Sequence, residues 1–78
     1  MNWKTEDHFL QKNFKFKNFG MAIDFINKIA PLAEEMNHHP DILLHSYNQV
    51  LVKTMTHDEG KITEKDFALA KKIDSIQN

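Results

Sequence analysis

Hydrophobic and polar residues alternate over Phe14-Lys15-Phe16-Lys17, which places both aromatic side chains on one side and both lysines on the other. Alternation of this kind predicts a half-buried β-strand. The residues just before it, Gln11-Lys12-Asn13, can supply a turn. The pattern therefore predicts a β-hairpin over residues 3–17, with its first strand ahead of that turn.

The strongest periodic pattern in the chain covers residues 19–36. Apolar residues recur there every three or four positions, which predicts an amphipathic helix. They are Ala22, Ile23, Phe25, Ile26, Ile29, Ala30, Ala33 and Met36. Asn18 can cap this helix, and Pro31 should bend it. Because the apolar stripe stays in phase across Pro31, we predict one helix, which ends near His39 because Pro40 disfavours helical geometry in the residue before it.

Two extended segments follow, over residues 42–47 and 50–57, with a turn at Asn48-Gln49 between them. In the second segment apolar and polar residues alternate, so that one face carries Val50, Val52 and Thr54 and the other carries Leu51, Lys53, Met55 and His57. The pattern predicts two strands, and Asp58-Glu59-Gly60 is typical of the turn that ends the second.

The chain ends in a second predicted helix. Thr63 and Asp66 have the spacing of a capping box, in which each side chain satisfies a backbone N–H at the start of the helix. Its predicted buried stripe consists of Phe67, Ala70, Ile73 and Ile76. The element order is thus strand-strand-helix, repeated once. Packing both helices on one face of a four-stranded antiparallel sheet gives a two-layer α+β sandwich, and we predict a single domain over residues 1–78.

Composition narrows the possible functions. Ten lysines, no arginine and 11 acidic residues give a net charge of -1, which supplies no long-range attraction for nucleic acid or anionic lipid. The absence of cysteine excludes disulfides, thiolate metal sites and cysteine nucleophiles. No apolar run is long enough to span a bilayer, and the first residues do not form a secretory signal. We therefore predict a cytoplasmic protein without nucleic-acid or membrane partners.

Three of the five histidines lie beside predicted element ends, where catalytic groups tend to sit: His38, His39 and His57. An unperturbed imidazole has a pKa of about 6.5 and can give or take a proton at neutral pH. Glu34 precedes His38 by four residues, so on a continuous helix its carboxylate could orient that imidazole. Histidines in one pocket would suit a reaction that needs an acid and a base together.

Simpler interpretations also fit these residues. Adjacent histidines at a helix C-terminus interact favourably with the helix dipole while facing solvent, and composition alone favours that interpretation. By default, Asp66 is a capping residue and Tyr47 a core residue, and His8 and His45 have no useful neighbours. A zinc site built from Glu34 and the three histidines is also possible. It ranks below metal-free chemistry, because two histidines four positions apart on a helix are absent.

One set of residues has a specific spacing. In order along the chain it consists of Glu34, three residues, His38-His39-Pro40, six residues, Tyr47, nine residues, His57, eight residues and Asp66. This pattern resembles the signature of the pterin-4a-carbinolamine dehydratases, and every fixed position is filled. The flanking Trp3 and the strand around Phe14 are also similar to that family.

The resemblance implies an enzyme that dehydrates 4a-hydroxytetrahydrobiopterin, or a related 4a-hydroxypterin, to the quinonoid dihydropterin and water. That step returns the pterin after an aromatic amino acid hydroxylase has used it, and the family needs no cofactor or metal. By the resemblance, His38, His39 and His57 surround the pterin as general acid and base, while Glu34 and Asp66 hold the imidazoles. The implied substrate contacts are Asn37, Pro40, Tyr47, Met55, Thr56 and Asp58.

The resemblance also implies a homodimer or homotetramer. Most family members have a further helix before the residue equivalent to Trp3, so we expect a ββαββα fold that lacks it. The alternative function is a non-catalytic oligomeric module that binds a pterin or a protein, similar to the family members that act as dimerisation cofactors.

Overall fold

The computed structural model describes residues 2–77 and has strands and helices in the order β-β-α-β-β-α. The elements are β1 Lys4–Glu6, β2 Phe9–Lys15, α1 Phe19–Met36, β3 Asp41–His45, β4 Gln49–Thr54 and α2 Glu64–Ile76. The strands form one antiparallel sheet in the order β1-β2-β4-β3. The predicted α+β fold is therefore confirmed.

The core lies between one face of the sheet and both helices. Strand β4 shows how the alternating pattern produces it, because Val50 and Val52 are fully buried while Leu51 between them is only partly buried. Phe14 on β2 packs against Phe25 on α1, with ring centroids 4.7 Å apart. Full burial of a large apolar side chain contributes about 1.5–3 kcal/mol, so this layer is the main source of stability. The core cluster comprises Trp3, Leu10, Phe14, Ala22, Phe25, Ile29, Val50, Val52, Leu69, Ala70 and Ile73.

Helix α1 begins where the sequence predicts. The Asn18 side chain accepts a hydrogen bond from the backbone N–H of Met21 at 2.8 Å, and the helix continues without a break across Pro31. It ends at Met36 rather than near His39. Asn37 adopts the left-handed conformation, with φ 51°, and stops the helix before Pro40 can. Asn visits this conformation more readily than most residues, which makes it a common helix terminator.

The hairpin turns differ from the predictions. The chain turns between β1 and β2 at Asp7 and His8, whose φ angles are 53° and 71°, and residues 11–13 lie inside β2. Two-residue hairpin turns favour positive φ at both positions, since that geometry matches the twist of the sheet. The predicted turn at residues 11–13 is therefore wrong.

The turn between β3 and β4 is also displaced. Ser46 and Tyr47 have φ angles of 52° and 55°, whereas Gln49 is already paired with His45 across the two strands. The turn covers residues 46–48, so the predicted turn at Asn48-Gln49 is confirmed for Asn48 and wrong for Gln49, which belongs to β4. Strand β4 ends at Thr54, so His57 lies beyond the strand rather than on it.

Helix α2 has the predicted capping box between Thr63 and Asp66 and most of the predicted buried stripe. Ala70 and Ile73 are buried as predicted, and Ile76 is partly buried against the core. Phe67, predicted to be buried, is 46% exposed, because Asp66 and Leu69 face the core on either side of it. Neither helix within residues 2–77 has the length and apolar character needed to cross a membrane.

Candidate active site

The end of α1 directs His38 out of the helix. The backbone N–H of Asn37 donates to the carbonyl of Glu34 and that of His38 to the carbonyl of Ala33, both at 3.1 Å. This bonding pattern is a Schellman motif, which reverses the chain direction at the left-handed residue. His38 therefore leaves the helix and reaches the start of α2, where its Nε2 lies 2.6 Å from Oδ1 of Asp66.

Asp66 is fully buried and accepts four hydrogen bonds. Oδ1 accepts from Oγ1 of Thr54 at 2.6 Å as well as from the His38 ring. Oδ2 accepts from Oγ1 of Thr56 at 2.9 Å and from the backbone N–H of Thr63 at 2.8 Å. The same carboxylate thus completes the capping box of α2 and holds His38.

The hydrogen bonds determine the ionisation of Asp66. Burial by itself raises the pKa of this carboxyl, because it disfavours the charged form. The hydrogen bonds from His38, Thr54, the Thr63 backbone and Thr56 outweigh burial, so the pKa lies below its ordinary value. Asp66 is therefore an anion at neutral pH, despite being buried.

Glu34 contacts a different histidine from the one expected. Its Oε1 lies 2.5 Å from Nε2 of His39, and not beside His38 as the helical spacing predicted. The difference follows from Asn37, because the left-handed turn takes His38 off the helical face that Glu34 occupies. Both side chains of the Glu34–His39 pair are more than half exposed.

A short loop after β4 carries His57. The backbone of Thr56 bridges to Lys61, with the Thr56 N–H donating to the Lys61 carbonyl at 2.9 Å, and this closes the loop at its base. Gly60 has φ 66°, a conformation that glycine adopts without strain, and the predicted turn over residues 58–60 is confirmed. His57 is exposed at the start of this turn, and within residues 2–77 its ring forms no hydrogen bond with another protein atom.

These two segments meet around one cavity of about 440 Å³, a volume within the range of small-molecule sites. All three candidate histidines line it. The full lining is Asn37, His38, His39, Pro40, Asp41, Met55, Thr56, His57, Asp58 and Lys65. Glu34 and Asp66 are outside the lining and contact the cavity histidines. The residues that the resemblance named are thus assembled in one place, with Tyr47 as the exception.

Comparison with known proteins identifies the family. The family model described as pterin 4 alpha carbinolamine dehydratase matches residues 1–76. The chain belongs to the pterin-4a-carbinolamine dehydratase family. A relative from Sulfolobus acidocaldarius that provisionally carries this name is 53% identical over 75 residues, which cover 96% of this chain and 81% of the relative. A second, from Picosynechococcus, is 51% identical over 74 residues, covering 95% and 79%.

Solved structures show the same fold. A protein from Brucella melitensis, described as a transcriptional coactivator/pterin dehydratase, is 36% identical, with a TM-score of 0.89 over 97% of this chain and 82% of its own. A pterin dehydratase-like protein described as a RuBisCO assembly factor in the alpha-carboxysome is 23% identical, with a TM-score of 0.74 over 95% and 84%. At that identity the second similarity concerns the fold alone.

Tyr47 is the signature residue that neither lines the cavity nor, among residues 2–77, hydrogen-bonds to a histidine that does. It belongs to the turn after β3, whereas the cavity is at the start of that strand, and its exposed fraction is 66%. Its default interpretation as a core residue is therefore wrong. The left-handed backbone at Ser46 and Tyr47 directs this turn away from the core.

Sequence analysis missed three residues of this candidate site: Asp41 and Lys65, which line the cavity, and Thr54, which hydrogen-bonds to Asp66. Thr54 is 1% exposed on the same strand face as Val50 and Val52. A hydroxyl on an otherwise apolar face was the available signal, because a buried polar group needs a hydrogen-bonding partner. Asp41 and Lys65 gave no such signal, since charged residues at the starts of a strand and a helix are usually solvent-facing.

A second cavity, of about 410 Å³, lies between the end of β2, the first turns of α1 and the end of α2. Its polar lining consists of Lys15, Lys17, Lys28, Asp24 and Gln77, without a histidine. Acid–base chemistry at neutral pH therefore favours the histidine-lined cavity. Within the part of the chain described, no group of three or more histidine, aspartate or glutamate side chains could hold a metal ion.

Proposed function

We propose that this protein catalyses the dehydration of a 4a-hydroxytetrahydropterin to the quinonoid dihydropterin and water. The observation that carries the proposal is the convergence of His38, His39 and His57 from two separate segments on one cavity. One of these imidazoles is hydrogen-bonded to a buried carboxylate. Membership of the family supports the choice of a pterin as substrate.

The proposed reaction needs two proton transfers and no redox partner. A proton is delivered to the 4a-hydroxyl, and the C4a–O bond breaks with its electron pair leaving on water. The lone pair of the adjacent ring nitrogen then forms a double bond to C4a. The proton on that nitrogen is removed by a base, so the atoms lost from the pterin add up to one water molecule.

The cavity histidines provide an acid and a base for these transfers. We propose that one imidazole protonates the leaving hydroxyl and that another accepts the proton from the ring nitrogen. Asn37, Pro40, Met55 and Asp58 would border the pterin from the cavity wall. A positioned acid or base contributes about 10²–10⁴-fold to a rate, which suits a reaction that already proceeds spontaneously.

The test is the breakdown of a 4a-carbinolamine, followed by ultraviolet absorbance with and without the protein. We expect the wild-type chain to accelerate it, and His38→Ala and His57→Ala to lower the rate by about 10²-fold or more. His45→Ala is the matched control, because His45 bonds to Asn13 and Ser46 and lies outside the cavity. Full activity in a folded His38→Ala variant would contradict the catalytic role.

A non-catalytic binding module is the second candidate. The relative from Brucella melitensis is described as both a transcriptional coactivator and a pterin dehydratase, which favours a binding role beside or instead of catalysis. Calorimetric titration with a dihydropterin separates the two functions. Binding without any acceleration of carbinolamine breakdown would favour the module, whereas turnover would favour the enzyme.

We propose in addition that the protein forms a homodimer or homotetramer in the cytoplasm. Strand β3 is an edge of the sheet, and its Leu43 is 55% exposed. An edge strand presents unpaired backbone groups that a second chain can pair with. Light scattering coupled to size-exclusion chromatography tests this, and a mass equal to one 9.2 kDa chain would contradict it.

A further inference from the structure

The hydrogen bonds around Asp66 constrain where their protons lie. An ionised carboxylate accepts only and offers about four lone-pair sites, and four donors occupy them here. The backbone N–H of Thr63 can only donate. Each of the other three groups, the two threonine hydroxyls and the His38 ring nitrogen, must therefore present a hydrogen to Asp66.

The hydroxyl contacts around this carboxylate run in one direction. Thr56 uses its hydrogen on Asp66, so in its 2.6 Å contact with Thr63 it accepts, and the Thr63 hydroxyl donates. Thr63 in turn accepts from the backbone N–H of Lys65 at 3.3 Å. A directed chain of hydrogen bonds thus leads from the first turn of α2 to Oδ2, and Thr54 supplies a second donor on the Oδ1 side.

This arrangement determines the form of the His38 ring. Nε2 carries a hydrogen because it faces an anion that can only accept, so in the neutral imidazole Nδ1 keeps the lone pair. Across residues 2–77 no protein atom forms a hydrogen bond with Nδ1, while His38 itself lines the cavity. Nδ1 is the ring nitrogen that remains for a substrate.

Because the side chains of Thr54 and Thr56 are buried, their hydroxyls depend on Asp66 as a hydrogen-bonding partner. Thr54 and Thr56 are 1% and 4% exposed, so water cannot replace Asp66 as their partner. Over the described residues no buried side-chain nitrogen or oxygen lacks a hydrogen bond. Removing either hydroxyl takes away one of the hydrogen bonds that fix the position of the Asp66 carboxylate, so the carboxylate no longer stays aligned with Nε2 and the His38 ring can turn.

We propose that Thr54 and Thr56 are positioning residues that, through Asp66, hold His38 in the tautomer with a hydrogen on Nε2, so that Nδ1 exchanges the proton with the substrate. The tautomer is a property of the protein alone. The proton exchange rests on the proposed function. The charged or titratable groups that share the cavity with His38 are His39, Asp41, His57, Asp58 and Lys65.

Nitrogen NMR of the histidine rings tests the proposed tautomer of His38. At about pH 8, where an ordinary imidazole is neutral, two-bond ¹⁵N–¹H spectra show which ring nitrogen carries the hydrogen. We expect Nε2 of His38 to be protonated in the wild type and both tautomers to appear in Thr54→Val, which keeps the shape but removes the hydroxyl. Thr54→Ser should restore the single tautomer. Thr5→Val, the same change on the exposed strand β1, is the control.

Enzyme kinetics of the same variants test whether Nδ1 of His38 exchanges the proton with the substrate. We expect Thr54→Val to lower kcat by roughly tenfold or more through misorientation of the imidazole, with KM changed by less than about twofold. Thr54→Ser should recover most of kcat, and Thr5→Val should leave it unchanged. A purely structural role for the hydroxyl would not couple the loss of kcat to the tautomer signal.

Each outcome decides part of the proposal. A wild-type spectrum with the hydrogen on Nδ1 overturns it even if Thr54→Val fails to fold. A folded Thr54→Val variant with one tautomer and wild-type kcat overturns it as well. A wild-type chain without turnover, whose His38 tautomer nevertheless depends on Thr54, supports the positioning half and contradicts the proposed function.

Discussion

Two imidazole–carboxylate pairs flank the same cavity, with nearly equal contact distances and opposite surroundings. His38 and Asp66 lie 2.6 Å apart, and their side chains are 11% and 0% exposed. His39 and Glu34 lie 2.5 Å apart, and their side chains are 56% and 76% exposed. The distance alone does not distinguish the pairs. The further hydrogen bonds of each carboxylate distinguish the pairs. Asp66 accepts hydrogen bonds from three more donors, whereas among the residues described Glu34 forms no other side-chain hydrogen bond.

The comparison shows that burial of the carboxylate and the number of hydrogen bonds it accepts, rather than its distance from the imidazole, decide whether it holds the ring in one orientation. An exposed pair competes with water and loses side-chain entropy, so its contribution is about 0–1 kcal/mol. A buried carboxylate that loses a partner leaves unpaired groups without access to water. We therefore expect His38 to be held in one orientation and His39 to be free to turn toward a ligand.

The largest difference between the pairs should appear on neutralising the carboxylates. Asp66→Asn replaces two acceptor oxygens by one oxygen and an NH₂ group, which faces donors. We expect it to lower the free energy of unfolding by about 3 kcal/mol, because buried unpaired donors each cost about 1–3 kcal/mol. Glu34→Gln should change it by less than about 0.5 kcal/mol. Urea denaturation followed by circular dichroism measures both changes in the free energy of unfolding. Equal losses for the two variants would contradict the distinction between the buried and the exposed pair.

The pH dependence of stability sharpens the same contrast. The pKa of Asp66 is lower in the folded chain than its ordinary value, so the anion stabilises the fold at pH values above about 4. This contribution is lost as the pH falls through the folded-state pKa. The stability difference between the wild type and Asp66→Asn should therefore shrink below about pH 4. Urea denaturation at a series of pH values checks this, with Glu35→Gln as the control, and a constant difference down to about pH 2 would contradict it.

Much of the fold could be predicted because it depends on local periodicity. The long helix, its Asn18 cap and the buried face of β4 follow from residues within a few positions of one another. The turn over residues 58–60, which contains Gly60, could be predicted, but the two hairpin turns could not be placed, because Asp7-His8 and Ser46-Tyr47 contain no glycine and yet adopt positive φ. Aspartate and histidine adopt positive φ more often than most residues, but the strand pairing on either side decides where the turn falls.

The resemblance named residues that meet around one cavity, but it did not predict the hydrogen bonds between them. The family signature named His38 and Asp66, but these residues are 28 positions apart, and their contact depends on the left-handed turn at Asn37 and on how α2 packs. The role of Thr54 likewise depends on which residue of α2 faces β4. No local pattern contains that information, and helical spacing likewise assigned Glu34 to His38 rather than to His39.

Comparing the two helix N-caps tests whether the hydrogen bonds around Asp66 couple the candidate site to the stability of the fold. Asn18→Ala removes an isolated N-cap and should lower the free energy of unfolding by about 1 kcal/mol. Thr63→Ala removes a cap that also contacts Thr56, so we expect about 2 kcal/mol. Asn18→Ser replaces the capping amide oxygen by a capping hydroxyl, Thr63→Ser keeps its hydroxyl, and both serve as controls. Equal losses for both alanine variants would show that the second cap acts independently of the site.

The smallest expected effect concerns the exposed pair. Glu34→Gln and Glu35→Gln neutralise adjacent exposed carboxylates on α1, of which only Glu34 contacts a histidine in the described structure. At about pH 5, where imidazoles carry charge, we expect Glu34→Gln to be less stable than Glu35→Gln by about 0.3 kcal/mol. Raising the salt concentration to about 0.5 M should abolish the difference, because exposed charges are screened at that ionic strength. Thermal unfolding measures it, and a difference that persists in salt would mean that the Glu34–His39 pair is held as rigidly as the buried one.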